Sequence, residues 1–384
     1  MLDNHDAMAT AVGTAILQKI RHQDRDWKQI FSSSITRVGD WDWPRPDFVC
    51  NDSSIKATYA LEFKPPRQSK REYLTGLGQS IAYLHKHNYA GLIIPKTADD
   101  GFLIGKYIKD VLNLKEFDKL PLSLFEYDET SPESSVEIIR LISAKRDASS
   151  IHGAYIDIKT FWSWWRDMSN YEVYKLLELS DAYRDEKGDI YSNNVFPKFY
   201  ELLNSGKTLQ WDGTPRKKKG DSYQSEKQNY KIPLFQLGLW SQADGRLTLK
   251  GYKLLNLGKI YGPDSKEFID YLTYILLIDG KHLELIREIY IFQKNNKGEI
   301  ADKSVDYLLQ LEKYLSDKGL IGARKPTAIT TGAKHTYIRD EPKLWNKLGL
   351  LEKANSLEYF IPSRGYSFNW DRITEIIQED YPSE

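Results

Sequence analysis

Apolar residues recur at helical spacing near the start of the chain. Met8, Val12, Ile16 and Ile20 fall four apart and predict an amphipathic helix over residues 6–21. Residues 28–50 alternate loosely between polar and β-branched or aromatic positions, the pattern of one or two strands. The alternation sharpens over "IKATYALEFK", residues 55–64. As a strand it puts Tyr59, Leu61 and Phe63 on one face, an expected core face, and Thr58, Ala60, Glu62 and Lys64 on the other. Residues 70–87 read as a helix. Leu74, Leu77, Ile81, Leu84 and His85 form its expected apolar side; Glu72, Gly76, Gln79, Tyr83 and Lys86 form the opposite side. "AGLIIP", 90–95, is a continuous apolar run of the kind found in buried strands. A helix over 99–113 and a strand over 120–128 complete a mixed α/β unit occupying residues 1–130.

"DETSPESS", 128–135, is polar and turn-rich and predicts a loop or linker, with a second around 146–153. Beyond it helical patterns dominate: 157–167, 170–183, 194–204, 265–278, 281–294 and 303–318. Two stretches of this half echo each other. "LGLWSQADGRLTLKGYKLL" begins at Leu237 and "LGLLEKANSLEYFIPSRGYSF" at Leu348. Each opens Leu-Gly-Leu, passes a polar turn and returns through an expected strand to a basic-Gly-Tyr triplet, Lys250-Gly251-Tyr252 and Arg364-Gly365-Tyr366. A helix ending this way before a β-hairpin resembles the last helix and wing of winged-helix domains. Two such units are expected, over 150–262 and 263–384, with residues 317–338 a weaker third copy.

A chain of 384 residues is long for one hydrophobic core. Its 41% hydrophobic and 28% charged residues are ordinary for a globular protein, and no apolar run reaches the ~20 residues of a membrane span. The N-terminus carries no basic segment ahead of its apolar part, so no secretory leader is expected. The single cysteine, Cys50, excludes an internal disulfide and a cysteine-based zinc site, and reads as a small strand hydrophobe in a cytoplasmic protein. Zero net charge removes a global basic field but leaves room for local patches that hold nucleic acid.

The chemistry concentrates at the end of the sharpest strand. Glu62 and Lys64 stand side by side, small residues precede them, and Pro65-Pro66 stops the ladder. Charge at a strand end costs stability unless it is paired. Asp47 follows Pro46 and precedes Phe48-Val49; the intervening "CNDSSIK" has turn chemistry, so an antiparallel hairpin would bring Asp47 near Glu62. Two carboxylates and water make a hard, oxygen-rich site suited to Mg²⁺ or Mn²⁺. The plainer alternative is an exposed cross-strand ion pair, worth ~0–1 kcal/mol.

Pro46-Asp47 with Glu62-Phe63-Lys64 resembles the PD-(D/E)xK nuclease superfamily, over about the first third of the chain. The superfamily core, αβββαβ, is close to the order read above. Gln79-x-x-x-Tyr83 is similar to a motif of its recombination-exonuclease branch. The resemblance implies a restriction-endonuclease-like α+β core in which Asp47, Glu62 and the Phe63 carbonyl bind Mg²⁺, replaceable by Mn²⁺. Lys64 would orient the attacking water and Gln79 would position Lys64 or the nucleophile. Many members also use an acid on the first helix; no Glu precedes Glu62, which leaves Asp6 or Asp3.

With such a core, "TPRKKKGDSYQSEKQNYK", 214–231, makes Arg216, Lys217, Lys218 and Lys219 candidates for phosphate contact. Arg246, Lys250 and Arg364 on the expected wings, and Lys334 and Arg339, are further candidates. His85 and His87 lie two apart on a helix and cannot aim at one ion; His85 is expected buried and His87 exposed. Trp162, Trp164 and Trp165 are expected to pack between domains. Together these features look like a type II restriction endonuclease cutting double-stranded DNA as a homodimer beside a cognate DNA methyltransferase. The alternatives are a transposon end-cutting or other defence-system nuclease, and a non-catalytic winged-helix DNA-binding regulator.

Overall fold

In a computed structural model of the chain, the periodic N-terminal segment forms helix α1 (Asn4–Arg21), with Val12, Ile16 and Ile20 buried. The structure describes residues 4–24, 26–27, 31–41, 43–141, 160–166, 168–216, 222–322, 337–338, 340–352 and 359–379. After α1 come strands β1 (Ile35–Val38), β2 (Phe48–Asp52) and β3 (Ala57–Phe63). Then follow helix α2 (Lys70–Tyr83), β4 (Tyr89–Pro95), helix α3 (Ile104–Leu112) and β5 (Leu122–Tyr127). The polar 128–135 stretch, expected as a loop, holds a single helical turn, α4 (Pro132–Ser135), and leads into an unforeseen strand, β6 (Glu137–Arg140).

These strands make one six-stranded sheet in the order β1-β2-β3-β4-β5-β6. The first three are antiparallel, with a tight turn between β2 and β3 and a longer connection between β1 and β2. β3, β4 and β5 run parallel, because α2 and α3 carry the chain back over the sheet between them, and β6 returns antiparallel. β3 is therefore interior. Tyr59, Leu61 and Phe63 join the core beneath α1, as the alternation predicts. Its other face is buried too: Ala60 packs with Tyr73 and Leu77 of α2 and Ile104 and Ile108 of α3.

α2 does not lie as its hydrophobicity suggests. Tyr73, Gly76, Leu77, Ser80 and Tyr83 are buried, whereas Leu74 and Ile81 are 45% and 36% exposed. The sheet face it covers ends in Glu62 and Lys64, and it meets those charges with the Gly76 backbone and the Tyr83 phenol. The expected histidine burial is likewise reversed. His87 is buried against Asp40, with Nε2 2.9 Å from Oδ2, and His85 is exposed.

Two compact units divide the chain. The first is Met1–Phe161 with Tyr314–Thr330; the second is Trp162–Lys313 with Thr331–Glu384. The first is thus larger than the expected 1–130 and discontinuous. Arg37 N–H donates to the Gly319 carbonyl at 2.8 Å, and Arg21 reaches the Ser316 carbonyl at 3.2 Å. Residues on both sides of the expected 262/263 boundary belong to the second unit.

That second unit is helical: α5 (Asn170–Ala182), a π-type turn (Tyr191–Val195) running into α6 (Phe196–Asn204), α7 (Tyr223–Gln236), α8 (Leu249–Tyr261), α9 (Lys266–Ile278), α10 (His282–Asn295), most of α11 (Ser304–Asp317), α12 (Glu341–Lys347) and α13 (Trp370–Gln378). A two-stranded ribbon of β7 (Phe360–Ile361) and β8 (Gly365–Tyr366) precedes α13. The helix expected over 157–167 is not formed over 160–166. Trp162 donates to Glu341 at 3.1 Å and Trp165 to the Met168 carbonyl at 3.2 Å, both bonds within the second unit.

The sequence echo has a structural counterpart that differs from two wings. At each Leu-Gly-Leu a helix ends on a left-handed glycine, Gly238 (φ 68°) or Gly349 (φ 73°), a backbone conformation that strains residues bearing a β-carbon. The next leucine then bonds back, Leu239 N to Leu234 O and Leu350 N to Trp345 O. A lone bridge follows in each, Trp240 with Leu247 and Leu351 with Phe368. Only the second copy grows a ribbon. In the first, the expected return strand is the start of α8, because Thr248 caps it by accepting from Gly251 N–H. The third copy falls largely on residues outside those described.

Candidate active site

Asp47 lies one residue before β2, and the hairpin register delivers it to the end of β3. The turn is fixed by Asp52, whose Oδ1 accepts from Ser54 N–H at 3.0 Å and whose Oδ2 accepts from Ser32 N–H at 2.6 Å. Phe48 pairs with Leu61, so the next position outward sets Asp47 opposite Glu62. Asp47 Oδ2 accepts from the Phe63 N–H at 2.7 Å, which ties the first carboxylate to the strand bearing the second.

Glu62 is 3% exposed, yet its carboxylate is met on both oxygens. Lys64 Nζ stands 2.9 Å from Oε1, and the Tyr83 hydroxyl donates to Oε2. Burial and the neighbouring Glu62 charge push the Tyr83 phenol far above its ordinary pKa, so it remains a donor. Lys64 is held at both backbone groups, its N–H on Ile93 O at 2.9 Å and its carbonyl accepting from Tyr127 at 2.8 Å. Its stem runs over Gly76, where a β-carbon would come within 2.6 Å of Lys64 Cε. The lysine stem thus fills the space that the missing side chain leaves. The amide oxygen of Gln79 is buried with no hydrogen-bond partner among the described residues.

The first helix contributes a residue the sequence reading missed. His5 Nε2 lies 3.2 Å from the Phe63 carbonyl and 4.0 Å from Asp47 Oδ2, so one nitrogen addresses two of the three groups expected to bind a metal. Its Nδ1 is 3.2 Å from Asp6. That hydrogen bond raises the His5 pKa to about 9, with Asp47 adding to it against the opposing effect of burial. Asp6, expected as a possible ligand, serves His5 instead; Asp3 lies outside the described residues. The sequence carries a signal for it, since position 5 extends the stripe of Met8, Val12 and Ile16.

The expected DNA-contacting residues fare unevenly. Arg216 is 5% exposed and forms a buried pair with Glu172 at 2.5 and 2.8 Å, so it is a core group and not a phosphate contact. Arg246 ties down the carbonyls of Arg184 and Gly188 at 3.2 Å each and pairs with Asp244, which is a structural role. Lys250 is on α8 with Nζ 2.7 Å from Asp279, not on a wing. Arg364 is exposed at the turn between β7 and β8, as expected for a wing tip. Lys217, Lys218, Lys219, Lys334 and Arg339 lie outside the described residues.

Elsewhere, Asp270, Glu375 and Glu379 bring three carboxylates within 4.8 Å of one another. Lys266 sits 2.7, 3.1 and 3.7 Å from them and Arg372 pairs with Asp270, so this cluster already carries its cations. At the β3 site the donors are two carboxylates and a carbonyl, an oxygen set that fits Mg²⁺ or Mn²⁺, while His5, held protonated, adds a positive charge beside them. The chain matches no protein-family model and no curated protein sequence. No helix among the described residues is long and apolar enough to cross a membrane.

Proposed function

We propose that the chain is a metal-dependent endonuclease that hydrolyses phosphodiester bonds of double-stranded DNA, in the manner of a type II restriction enzyme. What supports this reading above all is the register that sets Asp47 against Glu62 with the Lys64 ammonium 2.9 Å away. Burying Glu62 and Lys64 costs free energy that an exposed ion pair avoids, which argues for a task beyond stability. A divalent cation held by Asp47, Glu62 and the Phe63 carbonyl would supply Lewis-acid polarisation of the phosphate and a more acidic bound water. Lys64 orients that water and offsets charge building on the phosphate. Tyr83 fixes the Glu62 carboxylate, and Gln79 offers its orphaned amide oxygen to the lysine or the water. Cutting both strands calls for two such sites, hence a homodimer, and a cognate DNA methyltransferase would protect the host's own sites.

The test is digestion of plasmid and phage DNA with Mg²⁺ or with EDTA. Discrete, Mg²⁺-dependent fragments are expected, and Asp47→Ala, Glu62→Ala or Lys64→Ala should lower the rate by at least about 10²–10³-fold while far-UV circular dichroism is kept. An alanine variant of any of the three that cuts at the parental rate overturns the assignment. Intact DNA with a gel shift would instead mark a non-catalytic regulator.

A further inference from the structure

A cavity of about 560 Å³ opens in the helical unit, among α7, α12 and the turn that Leu209 and Pro215 close with a β-bridge. Its size is that of a small-molecule site, typically ~300–1,000 Å³. Several of its lining groups are suited to recognition and have nothing to bind within the protein. Trp211 is half-exposed, and its ring makes no hydrogen bond or ring contact among the described residues. The turn that carries it is stiff, with Gln210 N–H on Thr214 O at 2.8 Å and Gly213 N–H on Gln210 O at 2.9 Å. The side-chain amides of Asn229 on α7 and Asn346 on α12 also make no hydrogen bond among the described residues.

Charge is graded across the cavity. At its wall the Arg216 guanidinium is spent on the buried Glu172 carboxylate. At its rim Lys343 and Lys347 are exposed one helical turn apart on α12; Lys343 also lies 3.4 Å from Asp340 Oδ1, and Lys347 presents its cation on the same side. A flat ring suits a free indole, and a carboxamide can pair bidentately with the edge of a base. Exposed lysines suit a phosphate. An apolar ligand would leave both asparagine amides unmatched.

We propose that this cavity binds a nucleobase with its 5′-phosphate. The base stacks on Trp211, its hydrogen-bonding edge meets Asn229 and Asn346, and the phosphate lies on Lys343 and Lys347. Two sources share that chemistry: a free nucleotide, or a base turned out of a duplex, which enzymes achieve at a cost of a few kcal/mol. The inference rests on the DNA-cleavage reading only where it concerns the duplex.

Calorimetric titration of the full chain with each deoxynucleoside 5′-monophosphate, and with inorganic phosphate, tests it. Saturable binding of at least one nucleotide is expected, weakened about tenfold in Trp211→Ala by loss of stacking. In Lys347→Glu, whose side chain is exposed and whose fold is not at stake, binding should weaken as well. Duplexes carrying 2-aminopurine distinguish the sources, since the probe brightens when it leaves the stack. A rise points to an extruded base, and nucleotide binding without a rise points to a free nucleotide. Neither nucleotide binding nor a rise, or binding that both variants leave unchanged, overturns the proposal. Loss of Mg²⁺-dependent cleavage in the digestion assay bears on Asp47, Glu62 and Lys64 alone, so the two readings fail separately.

Discussion

At Gly76 a single methyl group would be felt in the site. The missing β-carbon leaves room for the stem of Lys64, and an added one would stand 2.6 Å from Cε. Because a lysine stem is flexible, Gly76→Ala should shift Nζ rather than unfold the chain. The expected result is a fall in cleavage of about tenfold or more, with a melting temperature near the parent's. Tyr83 gives the complementary test. Tyr83→Phe keeps the ring but leaves Glu62 Oε2 short of a donor in a buried place. Chemical denaturation should show a loss of about 1–3 kcal/mol, the cost of an unmet buried acceptor. His5 belongs at this scale too: it lies beside two of the three expected metal-binding groups, and only side-chain distances reveal it.

At the scale of elements, the orientation of α2 is the feature most open to test. Ile81 is exposed although it belongs to the apolar stripe, so Ile81→Lys should change stability by no more than about 0.5 kcal/mol in a urea titration. Leu77, at 9% exposure, packs on the sheet, and Leu77→Ala should cost about 2–5 kcal/mol. In the second unit the start of α10 hangs on one buried histidine. His282 Nε2 donates to Ser163 O at 2.9 Å, and its Nδ1 accepts from the Trp345 indole at 3.0 Å. Burial lowers its pKa from 6.5 to about 4, so the fold holds it neutral. The unfolded chain then takes up a proton that the folded chain refuses. The stability is fully present above about pH 6.5 and is lost as pH falls towards 4, by about 3 kcal/mol in all. Denaturation midpoints measured between pH 7 and 4 should trace that slope, and His282→Gln should flatten it.

At the scale of the molecule, the first unit draws on residues far along the chain. Gly319 has φ 74° and gives its carbonyl to Arg37, and a β-carbon there would sit 2.6 Å from Arg21 Cδ. Gly319→Val should therefore loosen the first unit although it lies almost 300 residues from the β1 strand it supports. Hydrogen exchange should report it as lost protection of the Arg37 amide, while the α9 amides keep theirs. Residues 1–130 would lack this support, so the boundary expected from composition is not the boundary of the folding unit.

Local order was legible wherever it depended on neighbours in the chain. The alternation of "ATYALEF", the apolar run of β4 and the spacing of α1 fixed the strand and helix types, and turn chemistry between β2 and β3 was enough to bring Asp47 towards Glu62. Tertiary structure alone decided which face of α2 turns inward, since a buried Glu-Lys pair selects glycine and phenol over leucine. It alone sent Arg216 into the core, because Glu172 offers a partner there. At Lys250-Gly251-Tyr252 a local signal, the cap at Thr248, outweighs the sequence echo and starts a helix. Periodicity reports what a residue prefers against water; only packing reports what it meets when water is gone.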